Sequence, residues 1–307
     1  MKTIFITGAS GFIGRNVIEQ FKGKYNILCP NHKELELTDQ FMVDEFFKKN
    51  NIDVVLHMAT LGGRRSKTED VKDMVKTNLQ MFFNITRNSK YYKKLIQCGT
   101  GGEYDRRFEV KNVKEEDLGK TIPIDDYSFS KYLISKYIEG SKDNIVDLRF
   151  FAIFGKYEDY ELRFISNAIL KNLLDKPIII NQNVYFDYVY INDLVKILTY
   201  FIENDSKYKF YNVGTGKPQD LLSLANKINK ISEKKSEIIL KQEGLNKEFS
   251  CDNKRLLDEI KDFKFTPLEE SIRELYLYYK ENIEKLDLTN LLAEKYTNDN
   301  FYKNLKK

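Results

Sequence analysis

Residues 3–14 read Thr3-Ile4-Phe5-Ile6-Thr7-Gly8-Ala9-Ser10-Gly11-Phe12-Ile13-Gly14, and this stretch decides the fold. Its first five residues have the apolar, β-branched character of a short strand, and an amphipathic helix pattern begins near Phe12. Between them, Gly8 allows a tight turn, Gly11 lets the backbone approach a pyrophosphate, and Gly14 lets the helix pack closely on the sheet. A glycine-rich turn without a ligand is the alternative. The position of the glycines between a strand and a helix favours phosphate binding at the helix N-terminus.

The composition is that of a globular protein of mixed charge. A chain of 307 residues with 42% hydrophobic residues can bury one large core or two modest ones. Its 50 basic and 46 acidic residues leave a formal charge of +4, which indicates no nucleic-acid partner. No signal peptide or membrane-spanning run is recognisable, and Cys29, Cys98 and Cys251 are too widely spaced for a disulfide framework or a zinc site. We therefore expect a cytoplasmic, soluble protein with no membrane partner and no metal.

Strand and helix patterns alternate along the first half of the chain, which predicts an α/β fold with a parallel sheet covered by helices on both faces. The predicted strands are 3–7, 25–29, 54–58, 94–98 and 145–150, and the predicted helices are 12–22, 38–49, 69–90 and 127–140. Later patterns predict strands near 178–180, 184–191 and 211–213, and helices at 192–203, 219–232 and from about 266.

The second half of the chain interleaves with the first, so we expect a nucleotide-binding core and a smaller, discontinuous substrate lobe. We place the core at 1–150 with returning segments near 184–213, and the lobe at about 151–183 and 214–285. A helical or disordered tail is expected at 286–307.

Tyr127 and Lys131 lie four residues apart, on one face of the predicted helix 127–140. A free phenol has a pKa of about 10, and an ammonium group one turn away favours its ionised form, so the pair brings the phenol towards useful acidity. Thr100, at the end of a predicted strand, is placed to donate a hydrogen bond to a substrate carbonyl or hydroxyl. A solvated tyrosine and lysine are the alternative. Their order after the glycine turn favours a catalytic set of Thr100, Tyr127 and Lys131.

Several ordered motifs carry a resemblance to a known family. They are Thr7–Gly14, Leu37-Thr38-Asp39, His57-Met58-Ala59, Asn78, Thr100 with Tyr104, Tyr127 with Lys131, Leu148-Arg149-Phe150 with Phe154-Gly155, Asp187-Tyr188-Val189 with Asp193, and Asn212-Val213-Gly214. Over residues 1 to about 280 the chain resembles the extended short-chain dehydrogenase/reductases, in particular the NAD(P)-dependent nucleotide-sugar epimerase/dehydratase/4-ketoreductase family. The resemblance implies a Rossmann-type doubly wound parallel sheet with a smaller, discontinuous C-terminal substrate-binding lobe.

The resemblance also implies roles for the matching residues. Asp39 would meet the adenine of the cofactor, and Tyr127 and Lys131 would hold the nicotinamide ribose. Tyr127 would also exchange a proton with the sugar oxygen while hydride moves to or from the nicotinamide. Further cofactor contacts are expected at Gly8, Ser10, Gly11, Phe12, Ile13, Ala59 and Asn78, and substrate contacts at Tyr104 and Asn212.

Departures from the family pattern narrow the chemistry. In the family's 4,6-dehydratases the threonine is followed by Asp-Glu, which supply the acid and base for elimination, whereas Gly101 and Gly102 follow Thr100 here. The family's 3,5-epimerase/4-reductases use a cysteine and a histidine, but this chain has only His32 and His57, both in the cofactor half. Neither of these activities is therefore expected.

Two further departures affect the predicted nucleotide-sugar site. The asparagine often found in the family's Arg-x-x-Asn segment is Ala152 here, and the arginine that would grip a diphosphate before the Asp-Tyr pair is Phe186. Diphosphate binding must then come from other cations. Arg163 and Lys171 are the candidates, although solvated helix charges explain them equally well.

The loop after the second predicted strand bears on the choice of cofactor. An NAD-preferring unit carries an acidic residue there to bind the ribose 2′-hydroxyl, whereas this chain has Pro30, Asn31, His32 and Lys33. Asn, His and Lys would bind a 2′-phosphate, and Arg15 after the glycine turn could add a second positive charge. An ordinary polar loop is the alternative. We predict NADP(H) as the preferred cofactor, with NAD(H) as the alternative.

This cofactor preference favours a net reductase, because a 4-epimerase recycles bound NAD whereas a reductase consumes NADPH. We expect reduction of the C4 ketone of an NDP-4-keto-(6-deoxy) sugar or heptose, in surface-polysaccharide biosynthesis. An NAD-dependent NDP-sugar 4-epimerase is the alternative. A non-catalytic NADP-sensing protein is a third hypothesis, which the presence of both Tyr127 and Lys131 disfavours.

A homodimer is expected, because relatives commonly pair through two helices per subunit. The corresponding segments here are 69–90 and 127–140. On the first, Met74, Met81, Phe82 and Phe83 would supply the apolar contact, although a stripe facing the core explains them as well.

Overall fold

The computed structural model describes residues 1–62 and 72–293. Its strands are β1 (Thr3–Thr7), β2 (Asn26–Leu28), β3 (Val54–His57), β4 (Lys94–Thr100), β5 (Val110–Val113), β6 (Ile145–Phe150), β7 (Ala152–Phe154), β8 (Ile178–Asn183), β9 (Tyr185–Phe186), β10 (Tyr188–Tyr190), β11 (Phe210–Val213), β12 (Gln219–Asp220), β13 (Ile238–Leu245) and β14 (Phe249–Cys251). Its α-helices are α1 (Phe12–Phe21), α2 (Gln40–Lys49), α3 (Met74–Thr86), α4 (Asp126–Gly140), α5 (Phe164–Leu173), α6 (Ile191–Glu203), α7 (Leu221–Ile231), α8 (Lys254–Glu259), α9 (Leu268–Asn282) and α10 (Thr289–Leu292).

The main sheet is parallel, with its strands in the order β2-β1-β3-β4-β6-β11. Alternate side chains of β1 point to opposite faces, so Ile4 and Ile6 pack with α1 and α6 while Phe5 packs with α2. This arrangement confirms the predicted Rossmann-type fold. The chain builds β2 on one side of β1 and β3 on the other, so the carboxyl ends of β1 and β3 form the switch point at which such sheets bind ligands.

A separate apolar cluster joins α5, α7 and α9 to β8, which pairs with β13. Beside it, β12, β9, β14 and β5 form a small sheet, whose Phe249 packs against Gly101. Because Gly101 directly follows β4, this small sheet lies at the carboxyl end of the main sheet. The division into a cofactor core and a substrate lobe stays a proposal.

The structure changes several predicted element bounds. The helix predicted at 69–90 appears as α3, which begins at Met74, and residues 63–71 lie outside the described residues. The segment 184–191 forms two short strands interrupted at Asp187. Neither α5 nor β13 was predicted, because α5 is buried on most sides and β13 is largely exposed, so neither shows a clear one-sided pattern.

Towards the end of the described chain, α9 is followed by the short helix α10. The predicted tail beyond residue 293 lies outside the described residues. In the described part of the chain, no helix has the length and apolar character that crossing a membrane requires.

Candidate active site

The glycine-rich turn joins β1 to α1 at the switch point. Gly8 has a φ of +70°, and a Cβ at this position would lie 2.7 Å from the backbone nitrogen of Ala59, at the end of β3. At Gly14 a Cβ would lie 2.3 Å from the carbonyl oxygen of Gly8. Gly11 occupies the N-cap position of α1 and has no side chain with which to cap it, while Ser10 is exposed beside it. The turn therefore has the backbone geometry of a phosphate-binding loop, with Phe12 and Ile13 in the first helical turn.

Thr7 ties the glycine turn to the end of β3. Its hydroxyl oxygen accepts the backbone N–H groups of Met58 and Ala59 at 3.1 and 3.0 Å, and its proton is donated to Nδ1 of His57 at 2.8 Å. Burial and the nearby Lys131 lower the pKa of His57 to about 3. His57 is therefore a neutral hydrogen-bond acceptor that holds Thr7 of β1 against the end of β3. Ala59 lies next to this contact, and its contact with the cofactor stays a prediction.

Asn78 of α3 holds the loop that follows β3. Its Oδ1 accepts the backbone N–H of Leu61 at 2.7 Å, and its Nδ2 donates to the carbonyl of Leu61 and to the hydroxyl of Ser130. Asn78 thus connects this loop to α4. Its predicted direct contact with the cofactor stays a prediction.

The helix α4 carries Tyr127 and Lys131 one turn apart. It begins at the N-cap Asp125, whose carboxylate accepts the N–H of Ser128 at 2.9 Å. Lys131 is buried, and its Nζ donates to the carbonyl of Cys98 in β4 at 2.9 Å. Burial lowers the pKa of Lys131, and neighbouring acidic groups oppose that change. The half-buried ring of Tyr127 lies next to Gly62, and its contact with Lys131 stays a prediction.

Thr100 ends β4 and begins the 3₁₀ turn Gly101–Tyr104. Its hydroxyl oxygen accepts the backbone N–H of Gly102 at 3.1 Å, and its own N–H is donated to Oε1 of Glu103 at 2.9 Å. The hydroxyl therefore keeps its proton for a further hydrogen bond. This is the role predicted for Thr100 towards a substrate oxygen.

The two glycines after Thr100 are enclosed by other side chains. A Cβ at Gly101 would lie 2.7 Å from the ring of Phe249 and 2.9 Å from that of Phe151. A Cβ at Gly102 would lie 2.7 Å from the hydroxyl of Ser128. The positions that hold Asp-Glu in the family's dehydratases are thus glycines packed against other side chains here.

Tyr104 and Asn212, which were predicted to contact substrate, are buried and bonded to each other. The Tyr104 hydroxyl donates to Oδ1 of Asn212 at 2.7 Å and accepts from Arg149 at 2.9 Å. Asn212 also donates to the carbonyl of Val113 and, through its backbone, to Glu115. These contacts join the turn after β4 to β5, β6 and β11. Direct contact of either residue with substrate stays a prediction.

Sequence reasoning missed the acidic groups behind Thr100. Glu103 is fully buried and binds both Thr100 and Arg149, and Asp147 lies beside it. A signal existed, because Asp147 and Arg149 are two charged residues on one face of the otherwise apolar β6. Buried charges must find partners, so such a strand predicts a buried ionic network.

The loop after β2 places the predicted 2′-phosphate ligands in solvent. His32, with an 83% exposed side chain, has its Nδ1 3.7 Å from the carboxylate of Glu36. Asn31 accepts the N–H groups of Lys33 and Glu34, and the Glu34 carboxylate accepts the N–H of Asn31. The loop thus carries both cations and carboxylates.

Two other predicted cofactor contacts are engaged within the protein. The guanidinium of Arg15 lies over the ring of Tyr157, 3.7 Å from its centroid, so this side chain contacts the loop that follows β7. Asp39 is the N-cap of α2, and its carboxylate accepts the N–H of Met42 at 3.0 Å. Their roles towards the cofactor stay predictions.

The predicted diphosphate ligands lie at α5, where Arg163 is the half-buried N-cap and Lys171 is buried in the last turn. Phe186 packs against Phe249 at a ring-centroid distance of 6.1 Å. The guanidinium of Arg106 lies over the same Phe249 ring at 4.7 Å. Arg106 is therefore a further cation on the ring that packs against Gly101, and sequence reasoning did not single it out.

Comparisons with known proteins agree with this fold. A model of the NAD dependent epimerase/dehydratase family matches residues 4–214. The chain is 26% identical over 261 residues to the ADP-L-glycero-D-manno-heptose-6-epimerase of Brachyspira hyodysenteriae, a match that covers 74% of this chain and 80% of that protein.

Two solved structures have a similar fold. The UDP-glucose 4-epimerase of Thermotoga maritima with UDP-glucose matches with a TM-score of 0.78 and 21% identity, covering 92% of this chain and 99% of that one. The GDP-mannoheptose C4 reductase of Campylobacter jejuni with NADP bound matches with a TM-score of 0.75 and 22% identity, covering 91% and 98%. On the family match, the glycine turn and the Tyr127–Lys131 helix, the chain belongs to the NAD dependent epimerase/dehydratase family.

Proposed function

We propose that the protein is an NADPH-dependent reductase of the C4 ketone of an NDP-4-keto-(6-deoxy) sugar or heptose. The observation that carries the proposal is the turn at Thr100, which keeps one hydroxyl proton to donate and is followed by Gly101 and Gly102, which can supply neither an acid nor a base. Carbonyl binding is therefore favoured over elimination of water. The names of similar proteins, which include a GDP-mannoheptose C4 reductase and a heptose epimerase, support a nucleotide-sugar substrate.

The residues at the switch point fit a dinucleotide. A Cβ at Gly8 or Gly14 would overlap backbone atoms, so the turn can be this tight only with glycine at both positions. The turn presents the N-terminus of α1 to an anion. Gly8, Gly11 and the helix N-terminus would hold the pyrophosphate, and Lys131 and Tyr127 the nicotinamide ribose. When bound, the reduced nicotinamide supplies a hydride to the carbonyl carbon.

The chain's own groups complete the reaction. Thr100 donates its free hydroxyl proton as a hydrogen bond to the substrate carbonyl, which orients that oxygen. Tyr127 transfers its phenolic proton to the oxygen as negative charge develops there. Lys131, as an ammonium group one helical turn away, lowers the cost of the resulting phenolate. The buried contact of Lys131 with the Cys98 carbonyl fixes the ammonium in place.

The preference for NADPH rests on the loop after β2. His32 and Lys33 are exposed, so they can turn towards a 2′-phosphate. The exposed Glu34 accepts the N–H of Asn31, so its carboxylate is engaged within the loop. We therefore favour NADP(H) over NAD(H).

An NAD-dependent NDP-sugar 4-epimerase is the second candidate function. Glu36 favours it, because the carboxylate lies 3.7 Å from His32 and neutralises part of the charge that would attract a 2′-phosphate. Both candidate reactions use Thr100, Tyr127 and Lys131 in the same positions. A sensor without catalysis is disfavoured by the presence of all three.

The deciding experiment measures both reactions on one purified sample. NADPH oxidation is followed with 4-keto-6-deoxy sugars on GDP, CDP, UDP and dTDP carriers, and C4 epimerisation is followed with the corresponding saturated NDP-sugars. NADPH oxidation with at least one 4-keto sugar is the expected result. Epimerisation without NADPH oxidation would establish the second candidate, and tight cofactor binding without either reaction would favour the sensor.

We also propose a cytoplasmic homodimer, with a changed set of contacts. Met74, Met81 and Phe82 are at most 7% exposed and pack inside the subunit, so the expectation that they supply the dimer contact is wrong. Phe83 is 40% exposed and stacks edge-on against the exposed Tyr137 of α4 at 5.0 Å. This aromatic pair is the apolar surface that α3 and α4 offer to a second subunit.

A further inference from the structure

Glu103 connects three elements behind the catalytic turn. It is 0% exposed, and its Oε1 accepts the backbone N–H of Thr100 at 2.9 Å. Its Oε2 accepts Nε of Arg149 in β6 at 2.9 Å and the hydroxyl of Ser135 in α4 at 2.6 Å. One carboxyl group therefore holds the turn of Thr100, the strand β6 and the helix α4 together.

Ser135 places this group on the catalytic helix. Tyr127, Lys131 and Ser135 are spaced four residues apart, so they lie on one face of α4. The Ser135 hydroxyl contacts Glu103 and also Oδ2 of Asp147, which is 1% exposed. A Cβ at Gly99 would lie 2.4 Å from Asp147 and 2.7 Å from Glu103, so only glycine leaves room for both acids.

The hydrogen bonds of Ser135 require an additional proton. Its hydroxyl has one proton, yet carboxyl oxygens of Glu103 and Asp147 both lie at hydrogen-bonding distance from Oγ. One of the two carboxyl groups must therefore carry a proton and donate it to Oγ. Nη2 of Arg149 also approaches Oγ at 3.4 Å and can only donate, so it supplies no acceptor for that proton.

The number of donors decides which acid is protonated. Glu103 receives three, from Thr100, Arg149 and Ser135, as an ionised carboxylate requires. Asp147 has Nε of Arg149 only at 3.7 Å, and its Oδ1 is buried without a hydrogen-bond partner among the described residues. A buried carboxylate oxygen without a donor is costly, whereas the oxygen of a neutral acid costs less.

The surroundings are consistent with one proton shared by the pair. Burial raises the pKa of both Asp147 and Glu103, and two like charges this close oppose the ionisation of the second acid. The cations that face the pair are Arg149 from β6 and Lys131 from α4. Tyr104 and Cys98 lie around them as neutral groups, since burial raises the pKa of both.

We propose that Glu103 is a positioning residue for Thr100, acting as the ionised member of a buried carboxyl pair whose proton resides on Asp147 and is donated to Ser135. The proposal rests on the proposed function only in that Thr100 contacts substrate. The pair itself is a property of the folded chain. It exists with or without cofactor or sugar.

The proton is tested by infrared spectroscopy at neutral pH, because a protonated carboxyl has a C=O band separate from those of carboxylates. The wild-type spectrum should contain a band that is missing from the Asp147→Asn spectrum. The buried Glu158, whose pKa burial raises to about 7, is unchanged in that variant and contributes equally to both spectra. Glu115→Gln, which changes a buried carboxylate that contacts neither Thr100 nor Ser135, is the matched control and should retain the band. Identical wild-type and Asp147→Asn spectra would overturn the shared proton.

The positioning role is tested by turnover and cofactor binding together. A glutamine has one acceptor oxygen, which cannot accept from both Arg149 and Thr100. Glu103→Gln should therefore lower kcat about tenfold, the value of one lost hydrogen bond to a charged group. The NADPH affinity should stay unchanged. If Glu103→Gln does not fold, Glu103→Asp retains the charge for Arg149, shortens the reach to Thr100 and should show the same split. A folded variant with wild-type kcat would overturn the role of Glu103.

Epimerisation of a saturated NDP-sugar serves as the turnover assay if reduction is not observed, since Thr100 acts in both reactions. A wild-type protein that reduces none of the 4-keto sugars would refute the proposed function but not the role of Glu103. The infrared result is independent of substrate, so the two failures are distinguishable.

Discussion

Gly14→Ala should destabilise the protein although it improves helix propensity. Alanine inside a helix is favoured over glycine by about 1 kcal/mol. Here, however, the new Cβ would lie 2.3 Å from the Gly8 carbonyl oxygen and 2.7 Å from Cα of Ala9. Both are backbone atoms, so no change of rotamer can relieve the overlap. Overpacking costs about 1–3 kcal/mol, and the upper end applies where backbone must move, so we expect a net loss of about 2 kcal/mol after the gain in helix propensity.

Gly140→Ala is the matched control, because Gly140 is the last residue of α4 and a Cβ there would meet no heavy atom within 4 Å. It should gain about 0.5–1 kcal/mol. Urea unfolding of the wild type and both variants measures the difference in the free energy of unfolding. NADPH fluorescence titration measures cofactor affinity, which should fall if the turn is displaced. The reasoning is refuted if Gly14→Ala is as stable as the wild type and binds NADPH with equal affinity.

Three further predictions concern catalysis, cofactor choice and assembly. Tyr127→Phe removes the proton donor and keeps the ring, so turnover should fall about 10²–10⁴-fold. Circular dichroism should match the wild type, and NADPH affinity should fall far less than the rate, because Lys131 and the glycine turn remain. An unchanged rate would exclude Tyr127 as the acid. Replacement of His32 and Lys33 by alanine should weaken NADPH binding about 10- to 100-fold, the scale of lost charge-assisted hydrogen bonds. NADH binding should change little. Equal losses of affinity for both nucleotides in fluorescence titrations would contradict a 2′-phosphate site. Phe83→Asp adds a charge to the exposed aromatic pair and should convert a dimer to a monomer in light scattering at micromolar concentration, whereas a wild type that is already monomeric would remove the dimer proposal.

The parts of the site that depend on local sequence were predictable. The turn at Gly8 and Gly14 requires glycine for backbone reasons that its flanking strand and helix already indicate. The one-turn spacing of Tyr127 and Lys131 likewise follows from helix geometry. The parallel sheet followed from the alternation of apolar strand and helix patterns, since strands buried on both faces give continuous apolar runs.

The rest depends on contacts between residues far apart in sequence. Arg15 stacks on Tyr157, and no local pattern indicates that pairing. Phe82 and Phe83 are adjacent, yet Phe82 is fully buried and Phe83 is 40% exposed, so composition alone could not say which one is at the surface. Glu103 was overlooked because it lies in the turn after β4 while its partner Arg149 lies far along the chain, in β6.

The Gly-Thr-Gly-Gly sequence at 99–102 acquires its meaning from these distant partners. Gly99 makes room for the two buried acids, Gly101 for the ring of Phe249, and Gly102 for the hydroxyl of Ser128. Thr100 is then the one position of the four at which a side chain has space, and its backbone is fixed by Glu103 while its hydroxyl proton stays available. Packing, as well as the identity of the two residues, therefore argues against dehydratase chemistry at this turn. The surrounding groups come from α4, β6 and β14, and they leave Thr100 as the hydrogen-bond donor that we propose for the substrate carbonyl.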